Sequence, residues 1–99
     1  AWQGKDQDSH ATLLAAVPTH TQTELWKWSL AVGEVYCAEA DLKGWQELIY
    51  VLEGELSLEF ENEIRVICAG QSILFKSDVL YRYVNRGTCV LKFIRNVLY

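Results

Sequence analysis

The sequence predicts an all-β domain, a sandwich or barrel of about eight short strands. From Glu24 onward the apolar residues recur with a period of two, which is typical of strands with one buried face. Turn signals interrupt this pattern about every 8–12 residues, and no long amphipathic helical pattern is present. The chain has 99 residues, of which 51% are hydrophobic, so we expect a single globular domain.

The elements follow in order along the chain. Residues 1–8 are polar and predict a linker or leading arm. The apolar stretch 11–17 ends at Pro18 and predicts an edge strand covering the sheet. We therefore assign residues 1–24 to a leading arm with a possible edge strand, and residues 25–99 to the β-barrel. The strands of the barrel are expected near 25–30, 34–40, 46–52, 55–60, 64–68, 72–76, 81–85 and 88–97.

Burial can also be predicted for individual strands. The stretch 46–52 is nearly all apolar apart from Glu47, which favours a strand covered on both faces. Trp26, Trp28 and Leu30 share one face of their strand, and we expect this face to pack in the core more readily than in a dimer contact.

Composition excludes several classes of protein. The net charge of −4 argues against nucleic-acid binding by this segment, and no apolar run reaches the length of a membrane span. Cys37, Cys68 and Cys89 form no C-x-x-C pair, so we expect small buried side chains in the reducing cytosol. The chain starts at Ala1 and contains no Met, which favours a fragment of a longer protein.

One pair of spacings concerns function. Glu47 is followed by six residues and Gly54, and fifteen residues separate Gly54 from Gly70. Tyr81 comes eleven positions after Gly70, and Asn85 four positions later. Glycines at strand junctions suit tight turns, whereas a carboxylate inside an apolar strand must be paired, hydrogen-bonded or metal-bound.

The segments 46–56 and 70–85 resemble the two motifs of the cupin superfamily. This resemblance covers roughly residues 33–97. It implies a small jelly-roll barrel, also called a double-stranded β-helix. Metal-binding cupins carry two histidines shortly before the motif glutamate and a third at the position of Tyr81, and this chain has none there. Its histidines, His10 and His20, precede the barrel and match neither motif.

The missing histidines make a tight iron, nickel, copper or zinc site improbable, so we expect no cofactor. A cluster of Glu39, Asp41 and Glu47 leaves Mg²⁺, Ca²⁺ or Mn²⁺ open as an alternative.

The remaining residues predict a pocket at the barrel mouth. Tyr81 and Tyr83 would supply aromatic walls with hydroxyl donors, Glu47 and Glu39 negative charge, and Trp45 an adaptable rim. Such a lining favours a small polar or cationic ligand. The alternative is that Tyr81, Tyr83 and Glu47 hydrogen-bond one another and fill the space that the metal left.

The segment Tyr50–Leu56 closely resembles the corresponding sequence in the C-terminal domains of bacterial regulators that begin with a helix-turn-helix domain. The resemblance implies a cytoplasmic, homodimeric module that senses a small-molecule effector. DNA would be bound only through an upstream domain outside this chain. Two alternatives remain: a small cupin enzyme, either metal-dependent or metal-free with Glu47 as base and Tyr81 as acid, and a purely structural dimerisation domain.

Overall fold

A computed structural model describes residues 2–17 and 23–99 of the chain. Nine strands account for the regular structure of these residues, and none of their segments is a helix long and apolar enough to cross a bilayer. The strands are β1 (His10–Val17), β2 (Thr23–Leu30), β3 (Val35–Ala38), β4 (Gln46–Glu53), β5 (Glu55–Phe60), β6 (Ile64–Cys68), β7 (Ser72–Lys76), β8 (Tyr81–Val84) and β9 (Leu91–Leu98).

The strands form two antiparallel sheets that enclose one core. The larger sheet has the order β1-β2-β9-β4-β7 and the smaller one the order β3-β8-β5-β6. Because side chains alternate along a strand, each strand sends every second residue into the space between the sheets. The all-β prediction is confirmed, and the apolar stretch 11–17 lies within the edge strand β1. The largest fully buried apolar side chains are Trp28, Tyr83, Phe93, Leu30, Ile49, Leu56, Leu58 and Leu91.

Gly54 forms the tight junction between β4 and β5. Its φ angle is +82°, and a Cβ atom placed there would lie 3.0 Å from the Cα atom of Leu91 and from the carbonyl oxygen of Val90. Gly70 also has a positive φ, +86°, but nothing lies within 4 Å of the corresponding Cβ position. The conformation therefore favours glycine at both positions, and close backbone approach adds a second constraint only at Gly54.

The prediction that the strand at 46–52 is covered on both faces was wrong. Glu47, Ile49 and Val51 are buried as one inward face, but Leu48 and Tyr50 are 41% and 45% exposed. In an antiparallel sheet only one face need pack on the core, and no described element covers the outer face of β4.

The prediction of buried cysteines was also wrong, since Cys37, Cys68 and Cys89 are all exposed. Cys37 alternates with the inward Tyr36, and Cys68 follows the buried Ile67, so both thiols lie on outward positions. The expectation for the tryptophan strand is confirmed, because Trp28 and Leu30 are buried and Trp26 packs against the core.

Residues 2–9 fold back onto the barrel. Trp2 packs against the core with its ring 5.3 Å from that of Trp28. The backbone N–H groups of Lys5 and Asp6 donate to a carboxylate oxygen of Glu34. Trp2 is the apolar anchor of this otherwise polar segment, and together with these hydrogen bonds it holds the segment against the barrel.

Candidate functional site

A cavity of about 180 Å³ lies at one end of the barrel. At this end β2, β4 and β8 begin, and β3 and β9 end. The carboxylates around it are Glu24, Glu39, Asp41 and Glu47. The aromatic walls are Tyr36, Trp45 and Tyr81, and the single cation among the lining residues is Arg95.

The structure brings together four of the five residues that the sequence predicted for a ligand pocket. Glu47, Tyr81, Glu39 and Trp45 all line the cavity, whereas Tyr83 is fully buried behind Glu47. Tyr83 lies two residues further along β8 than Tyr81 and deeper in the barrel, so the cavity does not reach it.

The sequence reasoning missed Glu24, Ala38 and Val97 among the lining residues, and it also missed the two lining residues Tyr36 and Arg95. Both obey the period-two pattern: Tyr36 alternates with exposed neighbours in β3, and Arg95 shares the inward face of β9 with Phe93 and Val97. In the sequence, Arg95 alternates with the apolar residues Phe93 and Val97, and this pattern could have identified it as an inward-facing arginine.

Glu47 is the polar centre of the barrel interior. It is 1% exposed, and the hydroxyl groups of Tyr81 and Tyr83 donate to its two carboxylate oxygens, each at 2.5 Å. Burial raises the pKa of Glu47, against the opposing effects of Arg95 and of the two tyrosine hydrogen bonds. Burial likewise raises the pKa of Tyr81 and of Tyr83, so both hydroxyls stay protonated as donors. The mutual hydrogen bonding that the sequence left as an alternative is present.

Arg95 supplies the positive charge beside this carboxylate. Its Nη1 atom lies 3.9 Å from Glu47 Oε2 and 3.4 Å from the hydroxyl oxygen of Tyr83. Its guanidinium carbon lies 5.3 Å and 5.1 Å from the ring centres of Trp26 and Trp28. The side chain is only 11% exposed, and Nε has no hydrogen-bond partner in the described structure. The cation is therefore held chiefly by aromatic faces and by one buried carboxylate.

The residues around Glu47 do not fit a metal ion. Both carboxylate oxygens already accept hydrogen bonds from tyrosine hydroxyls, and a guanidinium group lies beside them. Across residues 2–17 and 23–99, no three His, Cys, Asp or Glu side chains are arranged to hold a metal, so the Glu39, Asp41 and Glu47 alternative is not supported. His10 begins β1 and does not line the cavity, and His20 lies outside the described residues.

The rim of the cavity is tied together by contacts between loops and β9. Trp45 stacks on Tyr99 with ring centres 3.9 Å apart, and the Tyr99 hydroxyl donates to Glu24. The loop at 39–45 is fastened to the β7–β8 loop, because the N–H of Asp41 donates to the carbonyl of Ser77 and the N–H of Ser77 donates to the carbonyl of Trp45. The loop at 39–45 thus links the cavity to the β7–β8 loop and to Tyr99.

A second polar cluster lies on the outer face of the smaller sheet. Glu59 accepts hydrogen bonds from Arg86, Arg82 and Ser57. Its side chain is 3% exposed beneath arginines that are themselves half-exposed. Hydrogen bonds from Arg86 first, and then from Ser57 and Arg82, lower the pKa of Glu59 to about 2. The sequence reasoning did not predict this cluster, which lies on the opposite face of the smaller sheet from Tyr36 and Tyr81 of the cavity.

Comparison with solved structures finds the same fold in bacterial regulators. The cupin domain of an XRE-family transcriptional regulator from Enterobacter cloacae superposes with a TM-score of 0.86 at 22% identity, over 94% of this chain and 98% of that one. An HTH_3-family transcriptional regulator from Vibrio cholerae gives a TM-score of 0.84 at 24% identity, over 95% of this chain and 52% of that one.

Other cupins without a regulatory description share the fold as well. An RmlC-like cupin protein from Desulfovibrio desulfuricans superposes with a TM-score of 0.77 at 14% identity, over 98% of this chain and 88% of that one. No curated protein sequence matches the chain. The family model described as a cupin domain matches residues 26–95, which is most of the chain. The protein therefore belongs to the cupin family.

Proposed function

We propose that this domain is the effector-binding and dimerising part of a bacterial transcriptional regulator acting in the cytoplasm. The observation that carries the proposal is the cavity of about 180 Å³ at the barrel end, where polar and aromatic side chains converge. The fold similarity to the cupin domain of an XRE-family regulator supports the regulatory context. DNA would be bound by a helix-turn-helix domain outside this chain, and a small polar molecule would be the signal.

The interior of the site favours binding over catalysis. A general base needs a carboxylate oxygen that faces the substrate, but both oxygens of Glu47 accept tyrosine hydrogen bonds. We therefore infer that the domain is not an enzyme and that Glu47, Tyr81 and Tyr83 form a rigid floor beneath the ligand.

The rim is where a ligand would act. Glu39 is exposed, Asp41 is partly exposed, and the loop that carries them is tied to Ser77 and, through Trp45, to Tyr99. A ligand that binds one conformation of this loop better than another would shift the equilibrium between the conformations of the whole cavity mouth. We infer that this shift is passed to the attached DNA-binding domains.

A homodimer would use the outer face of the larger sheet. Leu48 and Leu74 face each other across β4 and β7, and Tyr50 faces Ile94 across β4 and β9. Leu48, Tyr50 and Leu74 are 41%, 45% and 55% exposed. Four strands of eight residues and one of five, about 4.8 Å apart, present a face of roughly 600 Å². This approaches the area of about 800 Å² per partner that a standard protein interface buries.

Sedimentation velocity tests the dimer. Leu48→Lys combined with Leu74→Lys should convert a dimer into a monomer, because two charges would enter the exposed apolar part of this face. Val66→Lys is the matched control, since Val66 is 54% exposed on the outer face of the other sheet. A wild-type monomer over the accessible concentration range, or equal dissociation by the control, would refute the dimer face.

A thermal-shift screen of small metabolites, followed by calorimetry, tests the sensor. A ligand of the cavity should bind at least about 10-fold more weakly to Trp45→Ala, because the aromatic wall is lost. Glu53→Gln is the control, since this exposed carboxylate lies at the other end of β4. A hit that Trp45→Ala leaves unchanged would show that the cavity is not the binding site.

A further inference from the structure

We propose that the ligand of the cavity is a small organic ammonium ion, held by Glu39 and Asp41 against the aromatic walls formed by Tyr36 and Trp45. This inference rests on the proposed sensor function and adds the chemical class of the effector. It excludes both a metal ion and an anion as the natural occupant.

The charge of the lining gives the first argument. Four carboxylates and one guanidinium surround the cavity. Arg95 is already beside Glu47, at 3.9 Å, and Glu24 accepts hydrogen bonds from Trp26 Nε1 and from the Tyr99 hydroxyl. The carboxylates of Glu39 and Asp41 thus leave the mouth with an excess of negative charge, which attracts a cation and repels an anion.

The geometry of the lining gives the second argument. The carboxylates come from β2, from the loop after β3 and from β4, and the described residues contain no set of three that could hold a metal ion. The cavity of about 180 Å³ is much larger than a bare ion needs, since about 10–15 Å³ already holds a water molecule. Dispersed carboxylates around such a volume suit a cation with a carbon skeleton better than a bare ion.

The aromatic walls give an independent third argument. Tyr36, Trp45 and Tyr81 line the cavity from β3, from the loop after β3 and from β8. An ammonium group over an aromatic face gains about 0.5–1 kcal/mol at an exposed site, and more when desolvated. The barrel already shows this mode of binding in the guanidinium of Arg95, which lies 5.1 Å and 5.3 Å from two tryptophan ring centres.

Isothermal titration calorimetry with three probes of equal length tests the inference on this chain at neutral pH and low salt. We expect n-butylammonium to bind saturably and with an affinity that falls as salt rises. Neutral n-butanol and anionic butyrate should bind at least about 10-fold more weakly. Glu39→Gln and Asp41→Asn should each weaken n-butylammonium binding about 3- to 10-fold, whereas Glu53→Gln should leave it unchanged.

Three results would overturn the proposal: no saturable binding of n-butylammonium, equal binding of n-butanol or butyrate, or equal losses in Glu53→Gln and the two mouth variants. Magnesium chloride is titrated in parallel, and binding of Mg²⁺ that Glu39→Gln or Asp41→Asn abolishes would also overturn it. A neutral or anionic metabolite that binds and is weakened by Trp45→Ala would preserve the sensor function while refuting the ammonium class. If no compound of any charge binds, the sensor function itself fails.

Discussion

Replacing Arg95 with Met tests whether this arginine neutralises the buried carboxylate of the barrel. The substitution keeps a long apolar side chain between Trp26 and Trp28, so packing changes little. It removes the positive charge that lies 3.9 Å from Glu47. Glu47 would keep its two tyrosine hydrogen bonds but would become a buried charge without a counter-ion.

The expected loss follows from the distance and the burial. Two unit charges 3.9 Å apart interact by about 4 kcal/mol at an effective dielectric constant of about 20. Breaking a buried pair by removal of one partner costs about 3–5 kcal/mol. The lost cation–π contacts and the new sulfur–aromatic contacts, each about 1 kcal/mol, roughly cancel. Arg95→Met should therefore lower the free energy of unfolding at neutral pH by about 3–4 kcal/mol, a large part of a typical total of about 5–15 kcal/mol.

Urea unfolding followed by tryptophan fluorescence measures this loss, and its pH dependence identifies the cause. The pKa of Glu47 is already raised by burial, and removal of Arg95 raises it further. Protonation then favours the folded state, so the loss should shrink as pH falls through that raised pKa. Glu47→Gln in the Arg95→Met background should likewise recover most of the stability. A loss below about 1 kcal/mol, or one that neither acid nor Glu47→Gln reduces, would refute charge pairing as the role of Arg95.

Three further predictions concern the rest of the barrel. The pKa of Glu59 is about 2 in the folded state against a usual 4.5, so its stabilising effect is complete above about pH 4.5 and lost towards pH 2. Glu59→Gln should therefore reduce the change of the urea unfolding midpoint with pH across this window. Gly54→Ala should cost more than about 2 kcal/mol and Gly70→Ala about 1 kcal/mol, and equal losses in thermal unfolding would refute the close-approach argument. All three cysteines are exposed and should react with a disulfide reagent in the native protein; a protected thiol in the colorimetric assay would contradict this.

The sequence predicts the fold well because most of its information is local. Alternation shows which residues of a strand share a face, and it correctly predicted that Trp26, Trp28 and Leu30 pack in the core. Glycine positions and turn residues then limit where strands end. The same reasoning failed for the outer face of β4, because an apolar run does not show whether a second layer covers it.

The site was only partly predictable because charge pairing depends on contacts between distant strands. Glu47 and Arg95 are 48 positions apart and become diagonal neighbours only through the register that places Glu47 opposite Val97 and Ile49 opposite Arg95. Glu59 meets Arg82 through the pairing of β5 with β8 and meets Arg86 just beyond β8. Alternation shows that an arginine points inward or outward, but register alone decides which carboxylate it meets.

The interior explains how this cupin barrel holds a buried glutamate, Glu47, with no histidine among the residues that line the cavity. A bare carboxylate in this position would cost several kcal/mol, so its oxygens need hydrogen-bond donors and its charge needs a counter-ion. The hydroxyl groups of Tyr81 and Tyr83 donate hydrogen bonds to the two oxygens. Arg95, held between two tryptophans, supplies the positive charge. Once the floor is neutralised in this way, the carboxylates of the mouth are left to attract a ligand of their own, and the ammonium titration addresses that ligand directly.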